Sequence, residues 1–528
     1  YARGRLKMKQ GMDGIQTHYF YEETDRYGSL YKVTAETRIA GESVPGLSSR
    51  KVTYVSGQGN NMRYEQYARL ADGAWSMTDA SSYEYDVENR WVKRTRANGR
   101  VYERMMTCCG PLWERDENGV TTSYSYNTAR QLVETIRSAV TDGETMITPE
   151  TITSYTRDAL GKITSLRRDA GPMTTVESRE YDLLGRLIRE TDILGRTTVR
   201  SYSGDGLVET VTTPAGATLI TRKSPSGTVV RRYGTGQQDI LYTVEATAEG
   251  IRTTEAVPGG EGGEPRVVTG SSTVNGFGDL VRIAAANTLN GENVRTLAYD
   301  DKGRLIREQL ADMAPALYAY DAFGNRTRAI VALEDDPTIL NSRITDYAYM
   351  TESREDGVYS LVSITSYTSS GTPVLQKRAT LLSALSPVLA GKTVMTDSRG
   401  HDAVEWMEYG GGSVRLRKKT VPGVESVFLT RIVDGFTTAV TGFDGATVLR
   451  RRTYTETGIT YADTDVRGNV FTSVCDIAGR IISGTDAAGN TTTYAYAQPF
   501  DLPTCVTNAL GKTACSVYDI RGRKEAEW

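Results

Sequence analysis

A turn signal that returns every ten or eleven residues constrains this chain more than any other feature. Gly185, Gly195, Gly206, Gly216 and Gly227 follow one another at steps of 10, 11, 10 and 11 residues. Gly458, Gly468, Gly479 and Gly489 do so at 10, 11 and 10, and Gly511 and Gly522 resume the register after one unit without a turn glycine. A helix has no use for such punctuation. Strands of six or seven residues separated by tight turns do, so the spacing argues for an all-β array of internal repeats.

The fullest unit reads Tyr181-Asp182-Leu183-Leu184-Gly185-Arg186-Leu187-Ile188. It returns at Tyr299, Asp300, Gly303 and Arg304, at Tyr320, Asp321 and Gly324, and at Tyr518, Asp519, Gly522 and Arg523. At Asp476, Gly479 and Arg480 the preceding Tyr has become Cys475. A half-unit without the Tyr occurs at Asp192 with Gly195, at Asp486 with Gly489, and at Asp116 with Gly119. The chemistry of the turn explains the pattern. An Asp at the first position accepts hydrogen bonds from backbone amides just ahead of it, and a Gly at the fourth adopts a left-handed conformation at little steric cost. The same recipe builds a hairpin with a bulge. Each half-unit is therefore expected to be one strand and one turn.

The intervening residues favour pleated backbone, but they do not alternate cleanly. In Arg186–Thr191, Leu187 and Ile188 fall on opposite faces, each beside charged neighbours. A sandwich needs one apolar face. A single-layer antiparallel ribbon, partly wet on both sides, fits better, with stability drawn from the ladder and from cross-strand pairs. The 31 Tyr against 8 Phe suit such half-buried surfaces, because the ring packs while the hydroxyl stays wet. The array is uneven. The expected segments are a divergent part over 1–82, repeats over 83–240, degenerate repeats over 241–298 with an exposed loop at Pro258–Pro265, weakening repeats over 299–390, and regular repeats over 391–528. Both ends read as cuts through a longer protein.

Little chemistry is visible. Net charge is −3 with both signs interspersed, which is not the footprint of a nucleic-acid binder. No stretch is apolar enough for a membrane helix. The two histidines, His18 and His401, lie far apart in no metal-ligand spacing. Most turns offer one Asp, whereas calcium needs six to eight oxygens. The Gly410–Gly412 run lacks the Lys-Ser/Thr of a phosphate loop. Asp300-Asp301 and Asp335-Asp336 read as solvated turn residues. Five cysteines form no disulfide framework. Cys505 and Cys515 flank one turn and can approach each other across a hairpin, but unpaired, half-buried thiols are the expectation for all five. No catalytic residue, cofactor or metal site is assigned, and no enzymatic activity is expected.

These motifs resemble the YD repeats of the Rhs family, which also occur in the C components of bacterial Tc toxins and in animal teneurins. The resemblance covers Tyr83–Tyr233 and Thr296–Trp528. It implies a long antiparallel hairpin ribbon that spirals into a hollow shell, secreted or at the bacterial surface, enclosing or presenting a toxin-like polypeptide. No closing core segment, self-cleaving terminus or cargo domain is visible in this sequence. An adhesion or carbohydrate-contact module, binding a surface glycan or protein on the same fold, is the alternative. A β-solenoid enzyme is a remote third, and a cleft gathering carboxylates, Arg and His would revive it.

Overall fold

Short runs rich in Thr, Val, Ile, Tyr and Arg must pair their backbone groups, and the nearest partner is the strand across the turn. The chain is built this way throughout. A computed structural model describes residues 5–528 apart from 12–13, 40, 260–266, 288–290, 312, 333–341, 369 and 498. Among the described residues are 45 strands and one 3-10 turn, Arg26–Gly28. Forty-three strands belong to one antiparallel sheet. Its strands pair with their neighbours in sequence, as in the run from Thr151–Arg157 through Thr218–Lys223. The exception is Leu132–Arg137, which passes over the separate hairpin Val140–Asp142 and Thr145–Thr148 to pair with Thr151–Arg157. The fold is an all-β antiparallel hairpin ribbon.

The ribbon divides into two units. The first comprises Tyr1–Thr121 and Arg295–Gly445, the second Thr122–Val294 and Ala446–Trp528. The second unit contains a run of short strands, among them Leu187–Thr191, Thr197–Tyr202, Val208–Thr212 and Thr218–Lys223. Leu187 and Ile188 are both half-buried although they face opposite ways. Neither face of this stretch is dry.

The first unit carries longer strands: Ser342–Arg354, Gly357–Tyr367, Pro373–Ala384, Leu389–Thr396 and Asp402–Tyr409. Register aligns one residue from each into a row, Met350, Leu361, Ala379, Val394 and Val404. Leu361, Ala379 and Val394 are buried, together with Tyr359, and Met350, Leu381 and Val404 pack against them. Trp75–Tyr85 lies against Gly357–Tyr367 and Pro373–Ala384, and within it Ala80 and Ser81 are buried. This stretch of long strands thus holds a buried apolar cluster.

One expectation is corrected. Cys505 and Cys515 are not unpaired thiols but a disulfide, with their Cα atoms 4.1 Å apart. They are direct partners in the register of Cys505–Thr507 with Thr513–Tyr518, and directly opposed residues bring their side chains within bonding reach. Cys475 is a buried thiol, as is usual for this residue, and Cys108 is exposed. Most of the Pro258–Pro265 loop, and Asp335-Asp336, lie outside the described residues.

Candidate functional site

The repeat turns are the most regular chemistry of the molecule. In the turns at Gly185, Gly195, Gly303, Gly324, Gly479, Gly489 and Gly522, the glycine has φ between 74° and 85°. Its N–H donates to the carbonyl of the Asp three residues earlier at 2.9–3.2 Å. The Asp side chain closes the turn with both oxygens. In the Asp182 turn, Oδ1 accepts the backbone N–H of Leu184 at 3.0 Å and of Arg186 at 2.9 Å. Oδ2 accepts the Arg186 Nε at 2.7 Å. The Asp192–Arg196, Asp300–Arg304, Asp476–Arg480 and Asp519–Arg523 turns repeat this Nε contact at 2.7–2.8 Å. In the Asp321 and Asp486 turns, Asn325 and Asn490 take the place of Arg. Charge-assisted bonds of this kind are the strong ones. The backbone N–H of Arg186, first among the causes, holds the Asp182 carboxyl below its ordinary range. Arg523 does the same for Asp519. At Asp300 burial opposes the shift, but the bonds from Arg304 outweigh it.

The Tyr completes the unit. Arg186 stacks over Tyr202 at 4.4 Å, Arg304 over Tyr320 at 5.0 Å and Arg480 over Tyr496 at 4.5 Å. In each case the Tyr hydroxyl donates to the carbonyl of the residue after that Arg: Leu187, Leu305 and Ile481, at 2.8–3.1 Å. Tyr181 and Tyr518 reach back in the same way to Ile163 and Pro503. Arg304 also donates to the Asp321 carbonyl at 2.8 Å. Asp, Arg and Tyr therefore link each turn to a later one along the same edge of the ribbon. Tyr299 lies opposite Leu305 in the ladder.

Turns also meet parts of the chain far away in sequence. In the first unit, Thr351 Oγ1 donates to the Gly46 carbonyl at 3.1 Å across 305 residues. Arg415 donates to Asn118 Oδ1 at 2.5 Å across 297. In the second unit, Arg452 donates to the Ile147 carbonyl at 2.7 Å across 305 residues. Arg196 reaches Asp501 at 2.8 Å, also across 305, and Arg521 reaches the Thr235 carbonyl at 2.6 Å across 286. At the Asn118 contact a hub forms. Glu117 pairs with Arg94 at 2.8 Å and Arg96 at 2.5 Å, while Arg100 and Arg415 both lie over the Tyr409 ring, at 3.9 and 4.2 Å from its centre. Burial pushes the Glu117 carboxyl up, and its arginines override it and hold it low. Burial, reinforced by Arg100, lowers the Arg415 guanidinium.

One cleft does gather carboxylates and arginines. About 430 Å³ in volume, it is lined by Glu36, Glu65, Arg38, Arg50, Tyr54 and Tyr67, among others. Glu36 and Glu65 are 4% and 5% exposed. Each is neutralised in place. Glu36 pairs with Arg38 at 3.1 Å and Arg50 at 2.9 Å. Glu65 pairs with Arg63 at 2.7 Å and accepts the Tyr67 hydroxyl at 2.9 Å. Burial, then that carboxylate, pushes the Tyr67 hydroxyl up to about 12. Neither histidine lines the cleft. His18 bonds Gln16, and His401 sits on the Asp397 turn, where its backbone N–H donates to Oδ1 at 2.8 Å. Buried Glu36 and Glu65 were not singled out in the sequence. Their signal is an opposite charge two residues along, hence on the same face of the strand, in Glu36-Thr37-Arg38 and Arg63-Tyr64-Glu65. Among the described residues no group of three or more His, Cys, Asp or Glu is placed to hold a metal, and no helix is long and apolar enough to cross a membrane.

The fold and its turn hardware define a β-hairpin repeat protein. Residues 181–218 match the RHS Repeat family model, so this stretch carries an Rhs repeat. No curated protein matches it. Among solved structures, the chain is similar to a crystal structure of TcdB2-TccC3 at 12% identity, with 92% of this chain and 31% of that one covered and a TM-score of 0.33. A crystal structure of TcdB2-TccC3-Cdc42 gives 12%, 92%, 30% and 0.33. A Photorhabdus luminescens Tc holotoxin pore gives 12%, 92%, 34% and 0.20. The chain spans about a third of the length of these chains.

Proposed function

We propose that this chain is a wall: a structural, non-catalytic segment of an Rhs-type shell that encloses a polypeptide, in a secreted or surface-exposed bacterial protein. The observation that carries the reading is the lacing at near-constant distance along the chain. Both units contain hydrogen bonds between residues 286–305 apart, made chiefly from turns and strand ends. A ribbon that returns alongside itself after a fixed contour length, and bonds to itself there, builds a wall. Such a wall also protects ribbon edges from pairing with other chains. The half-wet faces of the short strands agree, since a wall has no dry core. The repeat residues from Tyr181–Arg186 to Tyr518–Arg523 serve as fasteners between strands, and the five sequence segments are parts of one array. The buried carboxylates Glu36 and Glu65 of the cleft described above are held in ion pairs, which favours structure over catalysis. A disulfide between Cys505 and Cys515 suits an oxidising compartment. Enclosure of a polypeptide rests on the resemblance to Rhs repeats.

Solution X-ray scattering tests the wall. A solid globule of this length has a radius of gyration of about 24 Å. The expected value is clearly larger, with a distance distribution weighted toward long vectors. A value at the solid-globule limit overturns the proposal.

A further inference from the structure

The turn between strands Val101–Met106 and Pro111–Arg115 differs from the other repeat turns. Where they place Asp and Gly, it reads Thr107-Cys108-Cys109-Gly110. Thr107 and Gly110 close it, with the Thr107 N–H donating to the Gly110 carbonyl at 2.7 Å and the Thr107 hydroxyl to the same oxygen at 2.8 Å. The two cysteines occupy the corners of a two-residue loop. Their Sγ atoms are 2.9 Å apart, inside the contact distance of two unbonded sulfurs, and Cys108 is exposed to solvent. The Cys109 N–H is held by Thr107 Oγ1 at 3.2 Å, which fixes the second corner. Arg90 donates to the Thr107 carbonyl at 2.8 Å. Its guanidinium, held protonated chiefly by Asp86, is also in electrostatic reach of Cys108.

We infer that Cys108 and Cys109 form a vicinal redox site, a dithiol that closes to a disulfide between neighbouring residues when it meets a small-molecule disulfide such as oxidised glutathione. Thiolate is the attacking form. The Cys108 thiolate attacks one sulfur of the small disulfide, forms a mixed disulfide and expels one thiolate. Cys109 then loses its proton and attacks the Cys108 sulfur, expelling the second thiolate. Two small thiols leave carrying both protons, and one Sγ–Sγ bond remains. The rigid hairpin holds the second sulfur beside the first, so the ring-closing step is intramolecular and outruns capture by other thiols. The site is independent of the wall reading. It adds a second redox element to the Cys505–Cys515 bridge, on a turn that Arg90 ties to its neighbour along the edge.

The test is peptide mass mapping of the intact chain after equilibration with oxidised and reduced glutathione, followed by alkylation of remaining thiols. The expected product is a peptide containing Cys108 and Cys109 that lacks two hydrogens and takes up no alkylating agent, restored by reduction. In the reduced protein the same pair is expected to bind phenylarsine oxide, which bridges closely spaced thiols, and Cys109→Ser is expected to abolish that binding and to trap a stable glutathione adduct at Cys108. Cys475→Ser is expected to change neither result. Two alkylated thiols in the oxidised sample, a persistent glutathione adduct in the unaltered chain, or a link from Cys108 to Cys475 overturns the inference.

Discussion

Two stretches of the ribbon solve the same problem by different means. Between Leu187 and Tyr233 the strands are five or six residues long, and turns are fastened by an Asp, as at Asp192, or by a hydroxyl in its place, as at Ser203 and Thr213. Between Ser342 and Tyr409 the strands reach 13, 11 and 12 residues, and the row from Met350 to Val404 is fastened by apolar contact. A short strand cannot bury both its faces, so it spends its polar side chains on turns. A long strand presents enough surface to another part of the ribbon, here Trp75–Tyr85, for burial to take over. The lesson is that turn chemistry and apolar packing substitute for one another along one sheet.

The sharpest test compares the same substitution in both regions. Leu361→Ala, at a buried site in the apolar row, is expected to cost about 2–5 kcal/mol, as large-to-small changes in packed cores do. Leu187→Ala, at a half-buried site, is expected to cost about 1 kcal/mol, because only part of its surface leaves water. Urea unfolding with hydrogen exchange read separately over the two stretches measures both. Equal losses would break the comparison.

The next largest effect lies in the turns. Asp300→Ala removes the oxygen that accepts from two backbone N–H groups and the partner of the Arg304 side chain, and is expected to cost about 1–3 kcal/mol. Asp300→Asn keeps the acceptor Oδ1 for the two backbone N–H groups but puts an amide NH2, which cannot accept from Arg304, in place of Oδ2, so it is expected to retain about half of that stability. Gly185→Val is expected to cost about 1–3 kcal/mol, since φ there is +74° and a β-branched residue resists that conformation. Local hydrogen exchange over Met173–Thr191 is the readout. Unchanged protection in Gly185→Val would remove the left-handed glycine from the account of the turn.

How much of this was legible in the sequence follows from the range of each interaction. The Asp and Gly of a turn act within four residues, so spacing alone exposes them. The row from Met350 to Val404 takes one residue from each of five strands, and register decides its membership. Without register, the stretch from Ala329 to Leu389 shows only a fading turn rhythm, which is what longer strands do to it. The lacing at 286–305 residues joins single side chains with no motif. Glu117 and Asn118 read as the two variable residues of one turn, yet they organise four arginines and a Tyr. Cys505 and Cys515 stand at either side of a visible turn, but only the ladder makes them opposite one another.

Acid sharpens the contrast further. The carboxyls of Asp182 and Asp519 are held below their ordinary range, mainly by the backbone N–H of the residue four positions on. A depressed folded value means the stabilisation is complete above the unfolded value, about 3.9 for Asp, and is lost as pH falls through the folded one. Below pH about 4 the Asp-fastened short strands are therefore expected to lose exchange protection before the apolar row does. Simultaneous loss in both would show that the row depends on the turns.

The smallest expected effect concerns the stacked arginines. Arg480 pairs with Asp476, lies over Tyr496, and contacts Asp501 at 3.4 Å. Lysine keeps the charge but loses the planar fork and the flat face that covers the ring. Arg480→Lys is expected to cost about 0.5–1 kcal/mol, the scale of a partly exposed cation–π contact. Tyr496→Phe isolates the other half of the link, the hydroxyl bond to the Ile481 carbonyl, and is expected to cost about as much. In a double-mutant cycle the two losses are expected to be non-additive, because each change loosens the same stacked pair. Strict additivity would mean that Arg and Tyr act as separate fasteners, and the short-strand region would then be a series of independent turns rather than a chain of linked ones.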